Sequence, residues 1–249
     1  MSVVTVTLCL LACIATVLSR PDINIESRIV GGQNAGIGQF PHQVSLRQNN
    51  QHYCGGSIIS PLKVLTAAHC IYGQLVTLNT AVVGTNTLNS GGVSYLVLSG
   101  TFHTSYDPQT LINDVAVLTL ALPILYNQYV QPINLATSSP SPGETLTLSG
   151  WGLTSYPGST PNDLQYINLQ SLDLQSCAES LQGTSPISTG HVCTTSPAGQ
   201  GACQGDSGGP LINAAGVQVG IVSWGVPCAV GYPDVFSSVA FYYSWIESH

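Results

Sequence analysis

The feature that most narrows the fold is a series of short apolar or alternating runs, each closed off by turn residues. HQVSL (42–46), KVLTAA (63–68), LVTLNTAVVG (75–84), SYLVLSG (94–100), DVAVLTL (114–120), ETLTLSG (144–150), QYINLQSLDL (165–174) and GVQVGIVSW (216–224) follow one another with Gly, Pro, Asn and Ser between them. Alternation at a period of two places one set of side chains on a buried face, and strands recurring at this spacing read as an all-β sandwich or barrel. The 26 Gly and 15 Pro among 249 residues suit strands and turns better than a helical bundle. Only the end, SSVAFYYSWIESH, is expected to be helical, with Val239, Tyr242, Tyr243 and Ile246 on one face. The SSPSPGE stretch around Pro140–Gly143 is the best linker candidate and divides the chain into halves of similar size.

Charge removes one class of function. Charged residues make up 6% of the chain, against about 25% in an ordinary soluble domain. Four Lys+Arg face 11 Asp+Glu, a formal net charge of −7. No cluster of cations is available for a phosphate backbone, so nucleic acid is excluded as a partner.

Residues 1–19, MSVVTVTLCLLACIATVLS, form an apolar run without a charged side chain. It reads as a secretory signal peptide cut after Ser19, with Val17 and Ser19 at the small-residue positions, although the cation usual near the start is missing. Thr5, Thr7, Thr16 and Ser19 dilute the run and no stop-transfer flank follows, so no membrane association is expected once it is removed. Cys9 and Cys13 leave with it. Six cysteines remain, an even number in an exported chain, and three disulfides are expected. Spacing alone does not choose among their pairings.

Three motifs carry chemistry, in chain order: LTAAHC ending at His69 and Cys70, NDVAVLTL with Asp114, and GDSGGP around Ser207. Singly, each has a plain structural explanation: a packed histidine, a strand-opening cap, a tight turn. Together they supply what acyl transfer requires. A serine hydroxyl is a poor nucleophile until a base takes its proton. Histidine can take that proton and return it to a leaving group. A buried carboxylate on the far ring nitrogen fixes the tautomer, and Asp114, followed by VAVL, tolerates burial only with such a partner. The glycines around Ser207 free backbone N–H groups to face a developing oxyanion, each donor typically supplying about 2.7–4 kcal/mol.

IVGG, CGGSII, LTAAHC, NDVAVL, SGWG, GDSGGP and SWG stand in the order found in the chymotrypsin-like, trypsin-fold serine proteases, which this chain resembles over residues 29–249. The resemblance implies two six-stranded antiparallel β-barrels, about 29–138 and 139–249, with the active site between them and a C-terminal helix. It implies His69 as general base, Asp114 as orienting carboxylate and Ser207 as nucleophile, the roles of the worked serine-protease triad. Gly205 and Ser207 amides would form the oxyanion hole, and Ser223 would support Asp114. The implied disulfides are Cys54–Cys70, Cys177–Cys193 and Cys203–Cys228, each worth roughly 2–4 kcal/mol.

The same resemblance implies a zymogen. Residues 20–28 would be an activation propeptide, cut after Arg28 by a trypsin-like protease, and the freed amine of Ile29 would pair with Asp206. The pocket would be formed by Gly201, Ala202, Gln204, Ser223, Trp224, Gly225 and Asp234. Trypsin-like members carry Asp at the floor position held here by Gly201. Gly201 with Asp234 on the opposite strand resembles invertebrate chymotrypsins and the collagenolytic brachyurins, implying broad cleavage after Phe, Tyr and Leu. Two readings of Asp234 stay open: it faces the pocket and admits Arg or Lys, or it turns to solvent or backbone and leaves a plain chymotrypsin-like pocket.

These expectations describe a secreted, monomeric digestive endopeptidase of the gut lumen, without cofactor, acting on proteins and peptides and restrained by protease inhibitors. A regulatory cascade protease and a non-catalytic homologue acting as a binding module are the alternatives; the second usually lacks a triad member. His42, His52, His103, His191 and His249 lack metal-ligand spacing and are expected to be surface or packing residues. Calcium-binding members of the family use carboxylates in the loop after the histidine, and no Asp or Glu occurs between Cys70 and Tyr106. Adding Ca2+ or EDTA is therefore predicted to leave the thermal midpoint unchanged, and a midpoint that rises with Ca2+ would refute this.

Overall fold

A computed structural model describes residues 29–226 and 228–249. The leader 1–19, the propeptide 20–28 with Arg28, and Cys9 and Cys13 lie outside the described residues. In chain order the elements are β1 (Gln33–Asn34), β2 (Gln43–Gln48), β3 (Gln51–Ser60), β4 (Lys63–Thr66), β5 (Asn79–Val83), β6 (Val93–Phe102) and β7 (Ala116–Leu120). They continue with β8 (Asn134–Leu135), β9 (Thr145–Gly150), β10 (Gln165–Leu172), α1 (Leu174–Ser180), β11 (His191–Thr195), β12 (Pro210–Asn213), β13 (Val217–Gly225), β14 (Asp234–Ser238) and α2 (Val239–Glu247).

Two closed antiparallel barrels result, each of six strands. The first runs β2-β3-β4-β7-β6-β5 and closes where β5 returns to β2, with Val44 opposite Val83. The second runs β9-β10-β11-β14-β13-β12 and closes through β12 on β9, with Leu211 opposite Leu148. Closure leaves neither ring with an open edge, which removes the usual hazard of edge strands. Period-two patterning fills the interiors. On β10 Ile167 and Leu169 point inward beside Leu146 and Leu148 of β9, while Asn168 and Gln170 stay exposed. The first barrel buries Val44, Leu46, Ile58, Leu65 and Leu118.

The chain laces the barrels together. β1 pairs with β10, and β8 pairs in parallel with β13, so two segments from the first half extend the second sheet. Conversely, α2 buries Val239, Tyr242 and Ile246 against the core of the first barrel. Buried polar pairs cross between them: Ser57 Oγ donates to Gln218 Oε1 (2.6 Å) and Ser149 Oγ to Gln43 Oε1 (2.7 Å). Tyr243 is only partly covered, and Trp245 packs on the core instead.

One helix departs from expectation. QYINLQSLDL is not strand to its end: Asp173 accepts from Ser176 N (2.8 Å) and caps α1. This local hydrogen bond satisfies a free helix N–H and overrides the alternation of Leu172 and Leu174.

The three disulfides are Cys54–Cys70, Cys177–Cys193 and Cys203–Cys228, as the resemblance implied. The first ties β3 to the turn after β4. Gly55, next to Cys54, donates its N–H to the Ser207 carbonyl (2.7 Å). A Cβ at Gly55 would stand 2.9 Å from Gly209 Cα, so the first barrel can approach the Ser207 loop this closely only through glycine. Gly55→Ala is predicted to cost about 1–3 kcal/mol of stability as the two backbones part. It should also lower kcat/KM more than Gly56→Ala does, measured beside chemical denaturation; equal effects would contradict this positioning role.

Candidate active site

His69 lies in a single 3-10 turn, Ala68–Cys70, directly after β4. Its backbone N–H donates to Asp114 Oδ1 (2.8 Å) and its Nδ1 lies 2.7 Å from Asp114 Oδ2. Ser223 Oγ, from β13 of the second barrel, donates to the same Oδ2 at 2.6 Å. Asp114 is fully buried, and Ser237 Oγ holds its carbonyl at 2.7 Å. A carboxylate only accepts, so Nδ1 carries the proton and Nε2 is left as an acceptor. The imidazole remains 24% exposed, open on the side of the cleft.

Ser207 comes from the other barrel, and its loop is tied to the strand that the Cys54–Cys70 bridge joins to the His69 turn. Its carbonyl is bound by Gly55 N–H, adjacent to the Cys54–Cys70 bridge whose second sulfur lies 3.7 Å from His69 Nε2. The next residue, Gly208, has φ +75°, and a Cβ there would run into Thr66 and Ala67 just before His69. Among the described residues no hydrogen bond joins Ser207 Oγ to His69; such contacts often tighten only when substrate arrives. Cys54, His69 and Cys70 cluster closely, but both sulfurs are in the disulfide and offer no thiolate to a metal.

The loop before Ser207 is fixed from several sides. Asp206 is fully buried, with Gly152 N–H donating to Oδ1 (2.7 Å) and Cys203 N–H to Oδ2 (3.0 Å). Burial pushes its carboxyl up to about 7, the two amides pull it back, and nearby Asp234 adds to the rise. Gly205 has φ +101° and its carbonyl is bound by His52 Nε2 at 2.9 Å. Burial lowers His52 to about 4, so the ring is neutral, donates through Nε2 and accepts from Ser45 Oγ (2.9 Å) at Nδ1. Arg47 Nε in turn donates to Ser45 Oγ at 3.0 Å. Among the described residues neither Gly205 N–H nor Ser207 N–H has an intramolecular acceptor, while the surrounding amides of Asp206, Gly208 and Gly209 are all bound. Two free donors beside one serine can stabilise an oxyanion.

Ile29, the first described residue, is fully buried in the second core. Gly201 N–H donates to Val30 O (3.2 Å), and Gly31 packs against Gly199 and Gln200. The segment IVG is therefore docked on the loop that forms one wall of the adjoining cavity.

That cavity, about 240 Å³, is lined by Ser207 together with Ala202, Gln204, Ser223, Trp224, Gly225 and Asp234. Tyr156 and the Cys203–Cys228 bridge complete its rim. Gly201 does not contribute to the lining. A Cβ at Gly201 would stand 2.7 Å from Asp234 Oδ2, so the floor position is empty because the Asp234 carboxylate uses the space. Asp234 is 4% exposed and does not point to bulk solvent. Its Oδ2 accepts from Ser196 Oγ (2.5 Å) and Ala202 N–H (2.9 Å), so the backbone contact and the pocket-facing position coexist. Burial pushes its carboxyl up to about 6, and both donors pull against that rise.

Three residues here escaped the sequence reading. His52 is not a simple packing histidine, since it joins β3 to the Gly205 carbonyl across 153 positions. Ser45 lies in an ordinary alternating run, and Ser196 in a plain turn. The adjacency of His52 to CGGSII was the only available signal.

Comparison with known proteins places this geometry. A family model described as Trypsin matches residues 29–246. "Trypsin delta" of Drosophila melanogaster is 40% identical over 228 residues, covering 90% of this chain and 89% of the relative. "Trypsin alpha-4" of Lucilia cuprina is 38% identical over 247 residues, 98% and 96% of the two chains. "Trypsin beta" of Drosophila erecta is 40% identical over 225 residues, covering 89% and 88%.

Proposed function

This chain belongs to the trypsin family of serine endopeptidases, and from that premise we propose that His69, Asp114 and Ser207 cleave peptide bonds through an acyl-enzyme in a zymogen-derived, secreted digestive protease of broad specificity. The observation that carries this is the Asp114 carboxylate, bound at once by His69 N–H, His69 Nδ1 and Ser223 Oγ. Held in this tautomer, His69 takes the Ser207 proton at Nε2 as Oγ attacks the substrate carbonyl. Gly205 and Ser207 N–H receive the oxyanion. The Nε2 proton then passes to the leaving amine, and water repeats the sequence to release the acyl group. Peptides are the substrates, and protease inhibitors that mimic them are the natural restraint.

Cleavage after Arg28 by a trypsin-like enzyme creates an ammonium on Ile29, and burial favours its pairing with Asp206. A carboxyl raised from about 3.9 to about 7 opposes folding of this loop increasingly as pH climbs through that interval, until a cation offsets the charge. The ammonium thus converts an unfavourable buried charge into a switch. Arg28→Gln is predicted to stay inactive after trypsin treatment, as read with a chromogenic peptide; full activity in that variant would sink the idea.

Secretion to a gut lumen rests on the leader-like run and on the scarcity of cations. After processing, only Arg47 and Lys63 remain. Arg47 is buried on β2, and Lys63 is bound to Thr119 Oγ1 (2.9 Å) at the start of β4. The folded domain therefore gives a neighbouring trypsin little to cut. No helix among the described residues is long and apolar enough to cross a membrane.

For the primary pocket, the apolar walls accept Phe, Tyr and Leu, and Asp234 at the base accepts Arg or Lys. Asp234→Gly is predicted to lower the Arg-to-Tyr ratio of kcat/KM. In the parent enzyme that ratio should rise with pH through about 6, as Asp234 ionises, because ionisations common to both substrates cancel. A ratio flat with pH and unchanged by Asp234→Gly would show that Asp234 does not read charge.

A further inference from the structure

The two oxygens of Asp234 have unlike surroundings. Oδ2 accepts from Ser196 Oγ and Ala202 N–H, which uses both of its lone-pair directions. Among the described residues no hydrogen bond reaches Oδ1, and Asp234 lines the cavity. Gly225, the register partner of Asp234 on the neighbouring strand β13, leaves Oδ1 uncovered: a Cβ there would stand 3.2 Å from it. Ser196 itself is buried, 5% exposed, in the turn just after β11 and 38 positions from Asp234. It is packed against Gly201, where a Cβ would meet Ser196 Oγ at 3.1 Å and Cβ at 3.2 Å. Gly201, Ser196 and Asp234 therefore form one unit, in which the missing side chain makes room for a carboxylate and the hydroxyl that orients it.

We propose that Ser196 is a positioning residue for primary specificity: its hydroxyl locks Asp234 Oδ2 against the Ala202 amide and so presents Oδ1 to the cavity as the acceptor for a substrate ammonium or guanidinium. This rests on the reading that Asp234 accepts cationic side chains. The hydroxyl acts twice. It fixes the carboxylate rotamer, and it stabilises the charged form in a setting where burial works against ionisation. The groups facing the carboxylate from the packed strands are Thr194 of β11 and Gly225 of β13, neither of which titrates. The 196–206 loop adds Asp206, whose charge opposes that of Asp234. Among the described residues, only Ser196 Oγ and Ala202 N–H donate to this carboxylate.

The test compares kcat/KM for Lys, Arg and Tyr peptides across pH in the activated enzyme and in Ser196→Ala, Ser196→Thr and Asp234→Asn. Ser196→Ala should lower the cation-to-Tyr ratio by about 10-fold or more, the worth of one hydrogen bond to a charged group. It should also move the pH midpoint of that ratio upward, while Ser196→Thr, which keeps the hydroxyl, restores both. Should the alanine chain fail to fold, Ser196→Cys, similar in shape with a weaker donor, provides the same comparison. If Asp234→Asn abolishes the preference for cations but Ser196→Ala leaves ratio and midpoint unchanged, the role of Ser196 is overturned and the reading of Asp234 stands. If Asp234→Asn changes nothing, the underlying reading fails as well.

Discussion

The rest of the site depends on keeping one carboxylate in the dark. Asp114 has no solvent to stabilise it, and the donors that reach its carboxylate come from both barrels. The 3-10 turn after β4 supplies two contacts through His69, and β13 of the other barrel supplies Ser223. β14 holds the Asp114 carbonyl through Ser237, and α2 holds the neighbouring Asn113 side chain through Tyr242 (3.0 Å). A buried charge with these partners removed would cost several kcal/mol. Burial of Asp114 therefore couples the packing of both barrels to the orientation of one imidazole.

Asp206 and Asp234 are buried carboxylates as well, and burial raises both. Each accepts from backbone amides, Asp206 from Gly152 and Cys203 and Asp234 from Ala202. In the proposed function the cation for Asp206 is a new N-terminus at Ile29, and for Asp234 it is the substrate. Backbone donors and hydroxyls pre-orient each carboxylate and leave its charge only partly compensated, which makes one suited to switching and the other to recognition.

Much of this was legible in the sequence because the catalytic groups sit in local motifs. LTAAHC, NDVAVL and GDSGGP are each contiguous runs, the last with its own glycines, and the cysteine pairings followed from the family resemblance. The alternating runs gave an all-β sandwich or barrel and the resemblance two barrels, although not which strands close each ring, since closure depends on pairings such as β9 with β12 that join residues far apart in sequence. What escaped notice acts over long separations without a local signature. His52 reaches Gly205, and Ser196 reaches Asp234, through single hydrogen bonds between otherwise ordinary residues. Gly201 shows the limit most clearly. In the sequence it is a missing charge, whereas in three dimensions it is the volume that Asp234 and Ser196 share.

We propose that Ser207 becomes a nucleophile once cleavage at Arg28 frees the amine of Ile29. A serine-directed phosphonate, followed by peptide mapping of the chain before and after cleavage at Arg28, measures this directly. One label per cleaved chain is expected, on Ser207, and almost none on the uncleaved chain. Equal labelling before cleavage, or no label on Ser207 after it, would overturn this activation.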